Sequence, residues 1–321
     1  MTKNFTLQTG AVRPAARLAV LLAAGFAGVW ALMEAMVGQL HGSYHVIQIE
    51  CCRFAAHLLL MLAIWGRRDG ANLWRTTRPA LQVGRAALML CIPLGFGVAL
   101  SQGVTVATAL AGLWLAPVMA LGAASWWLRE RSPATLWILA ALGLAGAFAI
   151  LGPSRPASLS AWVMPILMGL SLALYLAATR ILRHEPVRAN LFLMALGGFM
   201  LLLPLMPMVW VKPSLHDALW FGAIGLIGFF ALWLLEQSLR RWSLSNVAPV
   251  LYVHLAFLAL VMSLSSGRLP ALRVLIGVGL VGLVMAFMWS RARARDDDSV
   301  DTSFGPLSMP ASCAVPLERT P

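Results

Sequence analysis

Charged residues are scarce in this sequence. Asp, Glu, Lys and Arg make up 11% of the 321 residues, whereas a soluble domain carries about 25%. The hydrophobic fraction is 60% and the mean hydropathy is +0.81. Too few charges remain to cover a water-exposed surface, so the composition excludes an ordinary soluble domain and indicates a membrane protein.

Lysine and the common catalytic motifs are also rare or missing. The only lysines are Lys3 and Lys212, and neither lies in the Gly-Lys-Ser/Thr context of an ATP-binding P-loop. No HExxH or GxSxG motif occurs. The sequence therefore predicts no catalytic residues, no cofactor and a protein that is not an enzyme.

Cysteine and histidine offer little for redox or metal chemistry. Three of the four cysteines lie in apolar segments, Cys313 lies in a polar tail, and their spacing matches no metal site. His41 and His45 are four residues apart but have no third ligand nearby in sequence. We predict no metal site.

Long apolar runs are what the sequence has in abundance. A run of about 20 residues crosses a hydrocarbon core about 30 Å thick, and ten runs meet this criterion. The first is longer than the core of a signal peptide, so we expect it to be retained. The predicted spans are 17–38, 44–66, 81–101, 104–128, 134–151, 160–182, 189–211, 216–238, 242–265 and 271–290.

The positive charges fall mostly on one side of these spans. The net charge is +12, and 22 of the 24 basic residues are Arg. With the N-terminus placed inside, 19 Lys and Arg residues fall on the cytoplasmic side and 4, including Arg155, on the other, which leaves Arg53 well inside a span. This asymmetry predicts that both termini are cytoplasmic, and it does not suggest nucleic-acid binding.

Two stretches of the chain resemble each other. ERSPATLWILAALGLAGAFAI from Glu130 aligns with GRLPALRVLIGVGLVGLVMAF from Gly267 at an offset of 137 residues, and a weaker match joins the segments around Trp30 and Tyr175. Each stretch joins the fourth span of one half to the fifth. Five is odd, so two five-helix copies would enter the membrane from opposite sides, as in transporters with inverted repeats.

The five-plus-five plan, ALAGLWLAPVMALGAASWWLRERSP with Pro117 and Glu130, and SLSNVAPVLYVHLAFLALVMSLSSGRLP from Ser243 resemble the EamA family of the drug/metabolite transporter superfamily. The resemblance covers about residues 17–290. It implies an exporter in the cell inner membrane. Where members of the family often have Gly-Glu before the last helix, this chain has Ser266, Gly267 and Arg268.

The predicted fold is accordingly an all-α integral membrane protein with ten transmembrane helices arranged as two inverted repeats. We expect a cytoplasmic segment at 1–16, repeats at 17–151 and 160–290, and a disordered cytoplasmic tail at 291–321. The tail is predicted from its content of charge, Ser and Pro.

Span two carries the most unusual polar residues. Glu50, Arg53 and His57 are three and four residues apart, so they share one helix face. Charges at mid-membrane cost about 2.5 to 3.5 kcal/mol each on insertion scales, so this face should meet protein or water. It could line the substrate route, or Glu50 and Arg53 could simply neutralise each other.

Span one offers a second candidate. Trp30 and Glu34 are four residues apart, and a ring beside a carboxylate could clasp an amine or a flat cation. A packing Trp beside a hydrated Glu is the alternative. Glu34 or Glu50 could also take up a proton, because low dielectric disfavours the charged carboxylate.

Further candidates for the substrate route supply hydrogen bonds or a titratable group, although each could equally join neighbouring helices. They are Tyr175, Glu236, Gln237, Asn246, Tyr252 and His254, while Pro93, Pro117 and Pro249 are predicted helix bends.

The functional prediction is a secondary transporter that moves a small metabolite, such as an amino-acid-like, cofactor-like or chelator-like solute, by alternating access. Its expected partners are that solute and the lipid bilayer, with proton coupling left open, no nucleic acid, and a monomeric or homodimeric state. The alternatives are an intramembrane enzyme that acts on a lipid or isoprenoid with Glu50, Arg53 and His57, and a membrane-embedded regulator.

Overall fold

The computed structural model describes residues 15–154 and 159–303, with side chains up to 298. Within these ranges the chain is helical and contains no strand. Ten helical segments are long and apolar enough to cross a membrane. They are α1 (Ala15–Leu40), α2 (Val46–Trp74), α3 (Pro79–Ser101), α4 (Val106–Trp126), α5 (Ala134–Leu151), α6 (Leu159–His184), α7 (Val187–Val209), α8 (Leu215–Arg241), α9 (Leu244–Ser266) and α10 (Leu272–Ser303).

The ten predicted spans are therefore confirmed, with ends that differ by a few residues except in α2 and α10. The tail was predicted to be disordered from residue 291, but α10 continues as a helix to Ser303. The carboxylate of Asp296 explains part of this extension, because it accepts hydrogen bonds from the backbone N–H groups of Ala16 and Arg17 and from the Arg17 side chain. Residues 304–321 and Arg155 lie outside the described part of the chain.

The fourth helix of each half is interrupted. Other long helices also contain short non-α segments, such as Leu62–Gly66 in α2 and Leu203–Leu205 in α7. In α4 the helix stops at Leu113 and resumes at Ala116, so Pro117 lies in the first turn of the second piece. In α9 a 3₁₀ segment, Ala248–Tyr252, contains Pro249. Proline has no N–H to donate, which explains a break at these positions. The helix is continuous through the third predicted bend, Pro93.

Most of the close helix pairs have a counterpart when the two halves of the chain are exchanged, although within the described residues α1 also packs on α10 and α5 has no comparable contact with α6. α1 packs on α8 and α9, and the corresponding helix α6 packs on α3 and α4. α2 packs on α8, as α7 packs on α3, while the pairs α2–α7 and α5–α10 are their own counterparts.

Small residues permit the closest of these approaches. A Cβ built on Gly225 of α8 would lie 2.8 Å from the carbonyl oxygen of Arg53, and one built on Gly277 of α10 would lie 2.6 Å from the carbonyl oxygen of Gly146. Backbones therefore meet directly at these points, as is usual for helices packed in lipid.

The two ends of the bundle differ in charge. We call the end that carries Arg17 and Arg180 the arginine-rich end; the sequence predicts that it faces the cytoplasm. The opposite end carries Tyr44, whose hydroxyl donates to Asp217 at 2.7 Å. The end of α8 lies beside the start of α1 at the arginine-rich end, because Ser238 near the end of α8 donates a hydrogen bond to the carbonyl oxygen of Ala19 near the start of α1.

Candidate functional site

A polar cluster joins α1 to α9 inside the bundle. The indole Nε1 of Trp30 donates to Oε1 of Glu34 at 2.7 Å. The other carboxylate oxygen, Oε2, lies 3.0 Å from Nε2 of His254, and Nδ1 of His254 lies 3.1 Å from the carbonyl oxygen of Ala27. The structure thus brings together three predicted candidates from segments 220 residues apart.

Aromatic rings enclose this cluster on the side of α4. Trp114 stacks on the imidazole of His254 with ring centroids 4.7 Å apart, and it also contacts Tyr252 at 6.2 Å. The stack fixes the plane of the imidazole. Trp114 lies at the break in α4, and sequence reasoning missed it, since nothing in one sequence distinguishes it from the other tryptophans of the chain.

Burial within the cluster is uneven. The side chain of His254 is 1% exposed, whereas that of Glu34 is 28% exposed. The carboxylate therefore stands at the edge of the packed region, with one oxygen near a buried imidazole. Leu40 is the last residue of α1 and lies at the end of the bundle opposite the arginine-rich end. At a rise of 1.5 Å per residue, the Cα of Glu34 lies about 9 Å from this end of α1.

The polar face of α2 is buried against α8. Nε of Arg53 donates to Oε2 of Glu50 at 2.8 Å, and a second guanidinium nitrogen bonds the same oxygen. The guanidinium also lies over the ring of Phe54 at 4.3 Å. Both charged residues are 5% exposed or less. Of the two interpretations of this face, the geometry favours the pair that neutralises itself within the helix.

His57 completes this face without joining the ion pair. Its ring meets Phe229 of α8 edge to face at 5.1 Å, and its Nε2 has no hydrogen-bond partner. No lipid-like or phosphate-bearing substrate has access to the three groups in this arrangement, since His57 is only 2% exposed.

A second buried network, made of hydrogen bonds and one ion pair, joins the two halves at the arginine-rich end. Arg85 of α3 donates to Oε1 of Glu236 in α8 at 2.6 Å and to the backbone carbonyl of Asn190 in α7 at 2.5 Å. The side-chain amide of Asn190 donates to the other oxygen of Glu236 at 3.0 Å and accepts from Gln82 at 2.7 Å. Arg85 and Glu236 are 1 to 2% exposed, so no water competes for this pair.

The sequence predictions do not include this network. They group Arg85 with the basic residues on the cytoplasmic side and leave Arg53 as the one basic residue well inside a span, which is wrong, because Arg85 lies within α3 and is buried. The available signal was Gln82 and Arg85, spaced i and i+3 at the start of an apolar run. Of the predicted candidates, Glu236 and Tyr175 belong here, and the guanidinium carbon of Arg85 lies 5.9 Å from the ring centre of Tyr175.

Glu130 forms a third link at this same end. Its carboxylate accepts from Nε of Arg180 at 2.8 Å and from the backbone N–H of Ser245 at 3.0 Å. The hydroxyl of Ser132 donates to that of Ser245 at 2.9 Å. The loop after α4 is thereby tied to α6 and α9 of the other half.

The remaining two candidates lie away from the α1–α9 cluster. Asn246 accepts from Nε of Arg291 at 3.1 Å near the arginine-rich end. Gln237 accepts from the Arg241 side chain at 2.5 Å and lines a cavity of about 280 Å³ with Trp233 and Arg188. These positions give neither residue a contact with Glu34 or His254.

No known protein-family profile matches the chain, and no curated protein matches it in sequence. Among solved structures, 28 chains match. One crystal structure superimposes with a TM-score of 0.73 at 18% sequence identity, and the match covers 87% of this chain and 98% of the other. At this identity the similarity establishes a shared fold over nearly the whole bundle and carries no functional assignment.

Proposed function

We propose that the chain is a secondary transporter of a small metabolite that works by alternating access between its two five-helix halves. The proposal includes an inverted relationship between the halves, a cytoplasmic arginine-rich end and a place in the inner membrane. Export as the direction follows from the resemblance to the EamA family.

The observation that carries the proposal is the unequal closure of the two ends. Five Arg–carboxylate pairs join one half to the other, and all five lie at the arginine-rich end. They are Arg85 with Glu236, Arg180 with Glu130, Arg188 with Asp69, and Arg17 with both Asp296 and Asp297. Within residues 15–154 and 159–298, no Arg or Lys pairs with a carboxylate across the halves at the opposite end. Hydrogen bonds do join the halves at the opposite end, from Tyr44 to Asp217, from Gln48 to Val211 and from Trp220 to Met36, but none of them is an Arg–carboxylate pair. Unequal contacts at the two ends are compatible with alternating access.

The packing pattern supports the same proposal. Most close helix pairs keep a counterpart when the halves are exchanged, so a second arrangement with the opposite end closed can use many equivalent contacts. The breaks in α4 and α9 fall in corresponding helices and provide points where each helix can bend.

The α1–α9 cluster supplies a binding surface between the ends. The carboxylate of Glu34, which is 28% exposed, and the indole of Trp30 beside it can meet a solute, while the rings of Trp114 and His254 are buried behind them. Such a combination fits a small solute with a cationic or flat portion. The alternative of an intramembrane enzyme gains no support from the geometry, because Glu50 and Arg53 satisfy each other within one helix.

Purified protein in proteoliposomes tests the proposal. The vesicles would be loaded with amino acids, cofactors and metal chelators in turn, with and without a pH gradient. Solute release would be compared with release from vesicles that hold the same solute but no protein. Solute candidates would come from metabolite profiling of medium from cells with and without the protein. Release of a solute only from vesicles that contain the folded protein is expected, and the absence of any release would contradict the proposal.

A further inference from the structure

His254 is placed between two hydrogen-bond acceptors. Its Nδ1 faces the carbonyl oxygen of Ala27 at 3.1 Å, and its Nε2 faces Oε2 of Glu34 at 3.0 Å. A carbonyl oxygen can only accept, and so can an ionised carboxylate. A neutral imidazole has one N–H, so it can satisfy one of these neighbours and must turn a nitrogen lone pair toward the other.

Adding one proton removes this conflict in either of two ways. An imidazolium donates from both nitrogens, to Ala27 and to Glu34. Alternatively, a protonated Glu34 donates from its O–H to Nε2, while Nδ1–H donates to Ala27. In both cases Oε1 of Glu34 still accepts from the indole of Trp30. The observed geometry therefore requires one proton more than a neutral histidine and a carboxylate contain.

The charge balance leads to the same requirement. No guanidinium or ammonium group contacts Glu34 in the part of the chain that the structure describes. With the extra proton the pair is neutral overall, whichever atom carries it. Without the proton it would place an unpaired negative charge beside a buried ring within the membrane, which is costly.

The neighbouring helices contribute no other charge at this level. The sequences of α4 and α5 contain no ionisable side chain, α10 has none between residues 274 and 290, and α8 has none between 218 and 235. On α1 and α9 themselves, the other ionisable groups are Arg17, near the arginine-rich end, and Tyr252, whose hydroxyl has no partner. The nearest charges on α2, Glu50 and Arg53, neutralise each other.

We propose that Glu34 and His254 form a proton-binding site that holds one proton between Oε2 and Nε2 and releases it when α1 and α9 separate. On separation, the N–H or O–H bond breaks and the proton passes to water at the exposed edge of Glu34. A hydrated carboxylate and a neutral imidazole remain, each able to find other partners. The coupling of this release to transport rests on the proposed function, whereas the shared proton does not.

The protonation can be measured on the resting protein without any substrate. The full chain would be prepared in lipid nanodiscs with ¹⁵N-labelled histidine rings, and ring nitrogen spectra would be recorded at neutral pH. Infrared spectra would detect a protonated carboxyl group through its C=O band. His254→Gln would identify the signals of His254 among the six histidines. Asp69→Asn, which changes a carboxylate in the Arg188 pair, is the matched control.

Either of two spectroscopic results, together with a matching titration result, would support the proton-binding site. Wild-type His254 would carry protons on both nitrogens and become singly protonated in Glu34→Gln, or it would be singly protonated beside a carboxyl band that disappears in Glu34→Gln. In a potentiometric titration from neutral to alkaline pH, the wild type would release one proton per chain more than Glu34→Gln. Asp69→Asn would match the wild type in all three measurements.

A singly protonated wild-type His254 with no carboxyl band attributable to Glu34 would overturn the proposal. The wild-type spectrum decides this point once its differences from the spectra of His254→Gln and Glu34→Gln have assigned the His254 and Glu34 signals. A chain that holds the proton but moves no solute in proteoliposomes would instead contradict the proposed function and support the proton site. The two failures are therefore distinguishable.

Discussion

Oε2 of Glu34 on α1 and Nε2 of His254 on α9 lie 3.0 Å apart, and this contact joins the two halves of the bundle away from the ion pairs at the arginine-rich end. It consists of groups that change protonation, unlike the Arg pairs, which keep their charge at every physiological pH. The contacts between the halves thus include permanently ionic Arg–carboxylate pairs and this Glu–His pair, for which we propose a shared proton.

The first prediction concerns Glu34→Gln. Glutamine is nearly isosteric and can keep hydrogen bonds to Trp30 and His254, but it cannot take up or release a proton. We expect the variant to insert and fold as the wild type does, while solute release driven by a pH gradient falls at least about tenfold, the loss that one 1.4 kcal/mol step in a barrier produces. Initial rates in proteoliposomes measure this, with substitution of an exposed carboxylate of α10, Asp298→Asn, as a control. Gradient-driven release at the wild-type rate would contradict it.

The second prediction concerns the buried pair of Arg85 and Glu236. Arg85→Ala leaves a carboxylate buried with one amide donor, and removal of one partner of a buried pair costs about 3 to 5 kcal/mol. Arg85→Met with Glu236→Leu removes both charges and should recover most of that loss. Thermal unfolding in detergent compares the variants. Equal stability of Arg85→Ala and wild type would show that the pair is not buried as described.

The third prediction separates structure from transport at α2. Arg53→Ala alone should destabilise the protein, because Glu50 keeps its buried charge without a partner. In Glu50→Leu with Arg53→Met both charges are absent, so the double variant should regain stability and retain solute release. Unfolding temperature and release rate are measured together. A stable double variant that no longer transports would contradict this prediction and indicate that Glu50 and Arg53 line the substrate route.

The fourth prediction tests close packing between α4 and α6. A Cβ built on Gly112 would lie 2.2 Å from Cβ and 2.7 Å from the backbone carbon of Pro165, so Gly112→Ala should overpack the contact and cost about 1 to 3 kcal/mol. Gly122 lies in the same helix, and its nearest neighbour would be 3.9 Å from an added Cβ. Gly122→Ala should therefore be neutral or stabilising. The unfolding temperature of Gly112→Ala should be lower than that of Gly122→Ala. The reverse order would contradict the close packing of α4 on α6 at Gly112.

The fifth prediction concerns pH at the opposite end. The Tyr44 hydroxyl donates to Asp217, and this hydrogen bond is the main cause that raises the pKa of Tyr44 above its ordinary value of 10.0. A raised pKa means that the contact contributes stability below about pH 10 and loses it as pH rises through the pKa of the folded state. Tyrosinate absorbance reports this well, because the chain has only three tyrosines. Asp217→Asn should move one titration step to lower pH, and an unchanged curve would exclude the contact.

Hydropathy predicted the helices well because lipid imposes a simple length requirement on each span. Hydropathy placed the end of α10 too early, because the residues from Arg291 onward are polar and resemble a disordered tail in sequence. The contact of Asp296 with the start of α1 explains part of their helical order, and it cannot be read from the sequence of α10. The proline breaks in α4 and α9 were visible because Pro117 and Pro249 interrupt apolar runs.

Contacts between helices were much harder to predict. Spacing along α2 correctly put Glu50 beside Arg53, but the partner of that face, α8, cannot be read from one helix. Glu34 and His254 were separate candidates in the sequence, and their pairing depends on how α1 and α9 pack. Arg85 was missed because a cation six residues into a helix looks, in sequence, like a charge flanking the membrane.

The alternation between two arrangements can be tested most directly at Ser132 and Ser245. Their hydroxyl oxygens lie 2.9 Å apart across the halves at the arginine-rich end, so the two side chains approach closely enough for a cysteine pair to be tested there. Cysteines at both positions, in a chain whose four native cysteines are replaced, would lock this end when oxidised, and each single cysteine is a control. Solute release should stop on oxidation of the double variant and return with reductant, while the single variants stay active. Release from the cross-linked protein as fast as from the reduced protein would contradict alternating access.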